Sequence, residues 1–167
     1  MTHSIRDATP ADSAAIRAVN EAGQPGVTPF EPGEIERCIA RATYFRVAEQ
    51  DGEVTGYLLA FGAGFPSIGD EYAWFTARHE SFVYVDQIAV AKRAWRGGVG
   101  SALYADLESF AAARGIPRLT CEVNLRPPNP RSLAFHAARG FAEVGRLEVS
   151  DGRFVSLLER ALAQSFK

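Results

Sequence analysis

Apolar positions recur along the chain with two different periods. Ser4–Arg6 reads as a short opening strand. Ala15, Ile16, Val19 and Ala22 fall three to four apart, the spacing of one helical face. Thr9 suits the N-cap of that helix, Pro10 its first turn and Asp12 its positive end. Gly23–Gly33 is a Pro/Gly-rich loop. Ile35, Cys38, Ile39 and Ala42 then mark a second helix over Glu34–Ala42. Tyr44–Glu49 and Glu53–Phe61 flank Asp51-Gly52, a pair that predicts a tight hairpin. Gly62–Ser81 is long, polar and aromatic, the character of a binding loop. Phe82–Val90 is almost continuously apolar and reads as a central strand. Leu103, Leu107, Phe110 and Ala111 predict a helix that Gly115 and Pro117 end. Arg118–Asn124 is another strand, and Asn129-Pro130 opens a helix that stops at Gly140. Phe141–Val149 and Arg153–Leu158 form a last hairpin around Asp151-Gly152.

The predicted order, β-α-α-β-β-β-α-β-α-β-β, is that of an α/β (α+β) fold with a mixed sheet. At 167 residues, with no internal repeat and no linker, the chain reads as one domain over 1–167. Hydrophobic residues make up 47% and charged residues 23%, which excludes a disordered chain. The net charge of −2 argues against a nucleic-acid partner. Cys38 and Cys121 are too few for a disulfide scaffold, and His3, His79 and His136 are too scattered for a metal site. The N-terminus has no apolar signal core and no stretch is apolar enough to span a bilayer, so a cytoplasmic location with no membrane partner is expected.

Lys92-Arg93-Ala94-Trp95-Arg96-Gly97-Gly98-Val99-Gly100-Ser101 is where chemistry concentrates. A strand, a basic glycine-rich loop and a helix start make an anion-binding arrangement. The glycines allow close approach, and unpaired N–H groups and the helix dipole face the anion. A P-loop would need Lys and Ser/Thr after its glycines, and Ser101-Ala102 follow Gly100 instead. The dinucleotide fingerprint fails too, because Leu103 stands in the third glycine slot.

Two runs together resemble the GNAT superfamily, the Gcn5-related N-acetyltransferases. The first is Asp86-Gln87-Ile88-Ala89-Val90 followed by Trp95-Arg96-Gly97-Gly98-Val99-Gly100, similar to the family's [Q/R]-x-x-G-x-[G/A] loop. The second is Asn129-Pro130-Arg131-Ser132-Leu133-Ala134-Phe135-His136-Ala137-Ala138-Arg139-Gly140-Phe141. Trp95 departs from the Gln/Arg slot, and His136 stands where many relatives carry a Tyr general acid. The resemblance implies a mostly antiparallel central sheet flanked by helices, with a V-shaped splay between two central strands. It also implies an acyltransferase that moves an acetyl group from acetyl-CoA directly to a primary amine of a small molecule, peptide or protein. A non-catalytic acetyl-CoA sensor is the alternative. No metal is implied, and a homodimer is compatible with the family.

By the same resemblance, Ile88, Ala89 and Val90 pair with the pantetheine arm. Arg96, Gly97, Gly98, Val99, Gly100 and Ser101 cradle the pyrophosphate, and Asn129 and Ser132 contact the arm. Lys92, Arg93, Arg126 and Arg131 are candidates for the ribose phosphate. Glu122, mid-strand, is the expected general base acting through a water, with Asp86 the runner-up. His136 is the expected acid, since an imidazole near neutrality suits a leaving thiolate, with Tyr84 and Tyr104 as fallback donors. Cys121 alternates with Glu122 and so faces the core, which argues against an acyl-enzyme. Gly62–Ser81 reads as a substrate lid, with Asp70, Glu71 and Glu80 to attract an amine and Tyr72, Trp74 and Phe75 to cover it.

Overall fold

The structure is a computed structural model that describes residues 3–66 and 68–163. Its elements are β1 (Ser4–Asp7), a 3-10 turn at Pro10–Asp12, α1 (Ser13–Gly23), α2 (Glu34–Arg41), β2 (Tyr44–Gln50), β3 (Glu53–Gly62) and α3 (Asp70–Thr76). There follow β4 (Val83–Val90), a 3-10 turn at Lys92–Ala94, α4 (Val99–Ala113), β5 (Arg118–Arg126), α5 (Pro130–Ala138), β6 (Ala142–Glu148) and β7 (Phe154–Ala161). Seven strands form a sheet in the order β1-β2-β3-β4-β5-β7-β6. It is mostly antiparallel, with β4 and β5 parallel. This is the mixed α/β architecture that the element order predicts. The chain divides into two compact units, Met1–Ala60 with Asp86–Phe110 and Phe61–Val85 with Ala111–Lys167.

In the first unit β1, β2 and β3 form an antiparallel ladder. The β2–β3 turn has φ of 51° at Asp51 and 77° at Gly52, the left-handed pair that the Asp-Gly signal requires. Ile16, Ile35, Val47, Tyr57, Leu58, Leu103, Tyr104 and Leu107 fill its core. Gly56 is a glycine of necessity: a Cβ there would lie 2.9 Å from the Ala89 carbonyl and 3.0 Å from Val99 Cγ1. The missing side chain lets β3 approach the end of β4 and the start of α4.

In the second unit β5 pairs with β7 and β7 with β6. β4 pairs with β5 at Val83–Leu119 and Tyr84–Thr120. Phe75, Phe82, Leu119, Val155 and Leu157 are buried to within 1%. The Gly62–Ser81 segment, expected as a loop, contains α3, docked on this unit. Asp70 and Glu71 favour the positive end of so short a helix, and tertiary packing holds it. Glu71 forms a buried ion pair with Arg153 at 2.7 Å. Asp70 accepts from the Ser150 N–H at 2.9 Å. Tyr72 donates to the Gly62 carbonyl and Phe75 is fully buried. Trp74 fills the space over Gly145, where a Cβ would come within 2.6 Å of its ring. Among the proposed amine-attracting and covering groups, these five are thus engaged within the unit.

Candidate active site

The glycine loop belongs to the first unit. Main-chain bonds close it step by step: Ala91 N–H to Thr55 O at 2.8 Å, Ala94 N–H to Ala91 O at 2.9 Å, Trp95 N–H to Lys92 O at 3.1 Å and Gly97 N–H to Ala94 O at 3.1 Å. Two further carbonyls are taken by side chains. The Trp95 indole donates to Val90 O at 2.9 Å, and the His3 imidazole to Gly97 O at 2.7 Å. Arg96 is left-handed at φ 68°, unusual for a residue with a Cβ, and Gly98 follows at φ 81°.

α4 begins with the Ala102 N–H bonded to Gly98 O at 2.9 Å. The N–H groups of Gly98, Val99, Gly100 and Ser101 therefore precede the helix's own ladder. Nothing lies within 4 Å of a Cβ built on Gly98. Arg96, Gly97, Gly98 and Ser101 are exposed, while Val99 anchors the turn in the core. Donors gathered at the start of a 15-residue helix, bonded Gly97 and Gly98 carbonyls and open space at Gly98 fit a pyrophosphate.

Before the loop, Ile88 and Val90 are half-buried and Ala89 is buried. Asp86 is half-buried on the same strand. Burial pushes the Cys38 thiol up to about 12, with Glu34 and Asp86 adding to the effect. Gln87 joins a buried network, accepting from Tyr57 at 2.7 Å and from Asn20 at 3.1 Å and donating to Thr28 O at 3.0 Å. Among the candidate phosphate cations, Arg93 already donates to Val54 O and Arg126 pairs with Glu148 at 3.1 Å. Lys92 stands 6.0 Å from the Trp95 ring.

The second unit holds the candidate acid and base. Glu122 is half-buried midway along β5, opposite Leu157 of β7. The Tyr84 hydroxyl, almost fully buried, donates to its carboxylate at 2.5 Å. Cys121 is 2% exposed, as the strand alternation predicts. Tyr104 is fully buried in the other unit.

His136 is 2% exposed, edge-on to Phe135 and Phe141. Its Nδ1 lies 2.8 Å from the Ser132 carbonyl, an acceptor, so Nδ1 carries the proton. Burial holds its pKa below the ordinary value of 6.5. The side chain is thus neutral at neutral pH, with that proton committed to Ser132. Asn129 Oδ1 caps α5 by accepting from the Ser132 N–H at 3.2 Å, as its place before Pro130 predicts. Among the described residues no cluster of His, Cys, Asp and Glu could hold a metal ion.

The acetyltransferase (GNAT) family model matches residues 15–141. The chain belongs to the GNAT acetyltransferase family. No curated protein matches it significantly in sequence. Among solved structures, Ard1 from Thermoplasma volcanium is 19% identical, with a TM-score of 0.78 over 98% of this chain and 100% of that one. The ribosomal-protein-alanine N-acetyltransferase from Brucella melitensis is 25% identical, with a TM-score of 0.73 over 95% and 99%. The phosphinothricin acetyltransferase of Sinorhizobium meliloti, solved with AcCoA, is 24% identical, with a TM-score of 0.73 over 98% and 90%.

Within this GNAT chain, sequence reasoning singled out the loop and Glu122 and named Tyr84 as a fallback donor, but missed Gly56, His3 and the bond between Tyr84 and Glu122. Gly56 carried a signal, as a glycine inside a strand pattern. The Tyr84–Glu122 bond joins strands 38 residues apart and has no local signature. The contact of His3 with Gly97 spans 94 residues and is equally silent in the sequence. No helix among the described residues is long and apolar enough to cross a membrane.

Proposed function

We propose that this GNAT acetyltransferase is an acetyl-CoA-dependent N-acetyltransferase, moving the acetyl group directly to a primary amine of a small molecule, peptide or protein in the cytoplasm. The observation that carries the reading is the start of α4, where the amides of Gly98 to Ser101 precede the helical ladder and the Gly97 and Gly98 carbonyls are already bonded. In this reading Arg96 to Ser101 hold the pyrophosphate, and the backbone of Ile88, Ala89 and Val90 lies along the pantetheine arm. Asn129 and Ser132 contact the arm.

Acetyl-CoA supplies an activated thioester. Glu122 takes the proton that the ammonium must lose before its nitrogen can attack, through a bridging water. Tyr84 holds that carboxylate in one orientation. His136 serves as donor to the leaving thiolate only by giving up its bond to Ser132. Its buried neutral state favours a thiolate that leaves unprotonated and takes its proton from solvent.

Calorimetric titration with acetyl-CoA and CoA, with ATP as control, tests the cofactor part. Saturable binding of both CoA forms and none of ATP supports it. A folded protein that binds neither overturns it. CoA release on addition of a panel of amines then tests transfer, and binding without release to any amine would leave a sensor.

A further inference from the structure

His3 lies just before β1 and outside both family motifs, yet its imidazole meets the glycine loop. Nε2 sits 2.7 Å from the Gly97 carbonyl. A carbonyl only accepts, so Nε2 is the protonated nitrogen. Nδ1 is buried and has no partner among the described residues. The ring therefore spends its hydrogen bonding on this one loop atom.

Gly97 O belongs to the same peptide unit as the Gly98 N–H. That N–H is the first of the four at the start of α4 that precede the helical ladder. A donor on the carbonyl fixes the plane of the unit and polarises it, which strengthens its N–H as a donor. The need for a fixed plane is specific here. Arg96 and Gly98 are both left-handed, and Gly97 between them has no side chain of its own to pack. The neighbouring carbonyls of Ala91, Lys92, Ala94 and Gly98 are held by main-chain donors; that of Gly97 is held by His3.

We propose that His3 is a positioning residue for the phosphate-bearing part of acetyl-CoA, orienting and polarising the Gly97–Gly98 peptide. This rests on the acetyl-CoA reading above. The prediction separates the donor from the bulk of the side chain. His3→Gln retains an N–H at the end of a side chain of similar length, and His3→Met retains length without a donor. Both substitutions fall on a half-exposed residue ahead of an edge strand.

The test is the calorimetric Kd for CoA of the two variants and the wild type, with kcat/KM for acetyl-CoA and for S-acetylpantetheine, which carries no phosphate. His3→Met is expected to raise the Kd for CoA by roughly three- to tenfold, the worth of one neutral hydrogen bond. It should raise KM for acetyl-CoA by a similar factor, leave kcat near wild type and leave S-acetylpantetheine turnover unchanged. His3→Gln should recover most of the loss. An unchanged Kd in His3→Met overturns the proposal, as does an equal loss with S-acetylpantetheine, which would make the contact merely structural. If the wild type itself binds no CoA, the acetyl-CoA reading falls. If it binds and His3→Met binds equally well, only the role of His3 falls.

Discussion

The Tyr84 hydroxyl donates to the Glu122 carboxylate across 2.5 Å, joining β4 to β5 through two side chains. A hydroxyl–carboxylate bond of that length is among the stronger hydrogen bonds in proteins. It fixes one carboxylate oxygen and so restricts where the other can receive a proton. Glu122→Gln is expected to lower kcat by about a hundredfold or more while the Kd for acetyl-CoA stays near wild type. Tyr84→Phe should lower kcat by roughly tenfold, because the base survives but loses its orientation. Steady-state kinetics with calorimetry check both. Full activity in Glu122→Gln would move the base elsewhere, with Asp86 next to test.

Gly98 has φ of 81° and empty space where a Cβ would be. Gly98→Ala meets the strain of a left-handed residue, about 1 kcal/mol, and narrows the approach of an anion. Gly98→Asp adds a like charge at the same place. Affinity for CoA should fall by about tenfold in the first and further in the second. Equal affinities in all three proteins would remove this loop from the phosphate site.

His136 gives a pH signature of stability. Its folded pKa lies below the unfolded value of 6.5, so the unfolded chain binds the proton more readily. Its contribution is complete above that value and is lost as the pH falls through it towards the folded pKa. Urea unfolding across this range should show stability declining with acid. His136→Phe should flatten that part of the curve, though it leaves the Ser132 carbonyl without its donor. An unchanged slope would mean that other groups set the acid limb. The same variant measures the acid role: near-normal kcat would assign His136 to packing.

Neither thiol is placed for catalysis. Cys121 is 2% exposed in the core, and Cys38 is held up to about 12 chiefly by burial. Cys121→Ala is expected to keep most of its turnover and to lose about 1 kcal/mol of stability. Native protein should react slowly with a thiol reagent at mildly alkaline pH. Loss of turnover in folded Cys121→Ala would restore a covalent intermediate.

Much of the fold is legible locally because its signals are local. Asp51-Gly52 and Asp151-Gly152 turn where they should, Asn129 caps α5, and the run over Phe82–Val90 contains a strand, Val83–Val90, whose residues are buried or half-buried. The α3 helix was not legible. Seven residues carry too little periodicity, and two of the three charges that looked available for an amine, Asp70 and Glu71, are satisfied by residues 80 and 82 positions away. The site divides the same way. Its glycines and mid-strand carboxylate stand out by type and position, whereas His3, Tyr84 and Arg153 acquire their meaning only from distant partners.

The Glu71–Arg153 pair has a consequence for how this scaffold can be altered. Glu71 is enclosed, and Arg153 also donates to Asp151 and to Asn124. Removing the carboxylate leaves Arg153 with only the half-exposed Asp151 as its ionic partner, so Glu71→Ala should lose about 1–2 kcal/mol in chemical unfolding. The segment around α3 and the β6–β7 hairpin are therefore physically coupled. A chimera that borrows one from a relative must borrow the other, or it carries a mismatched lock.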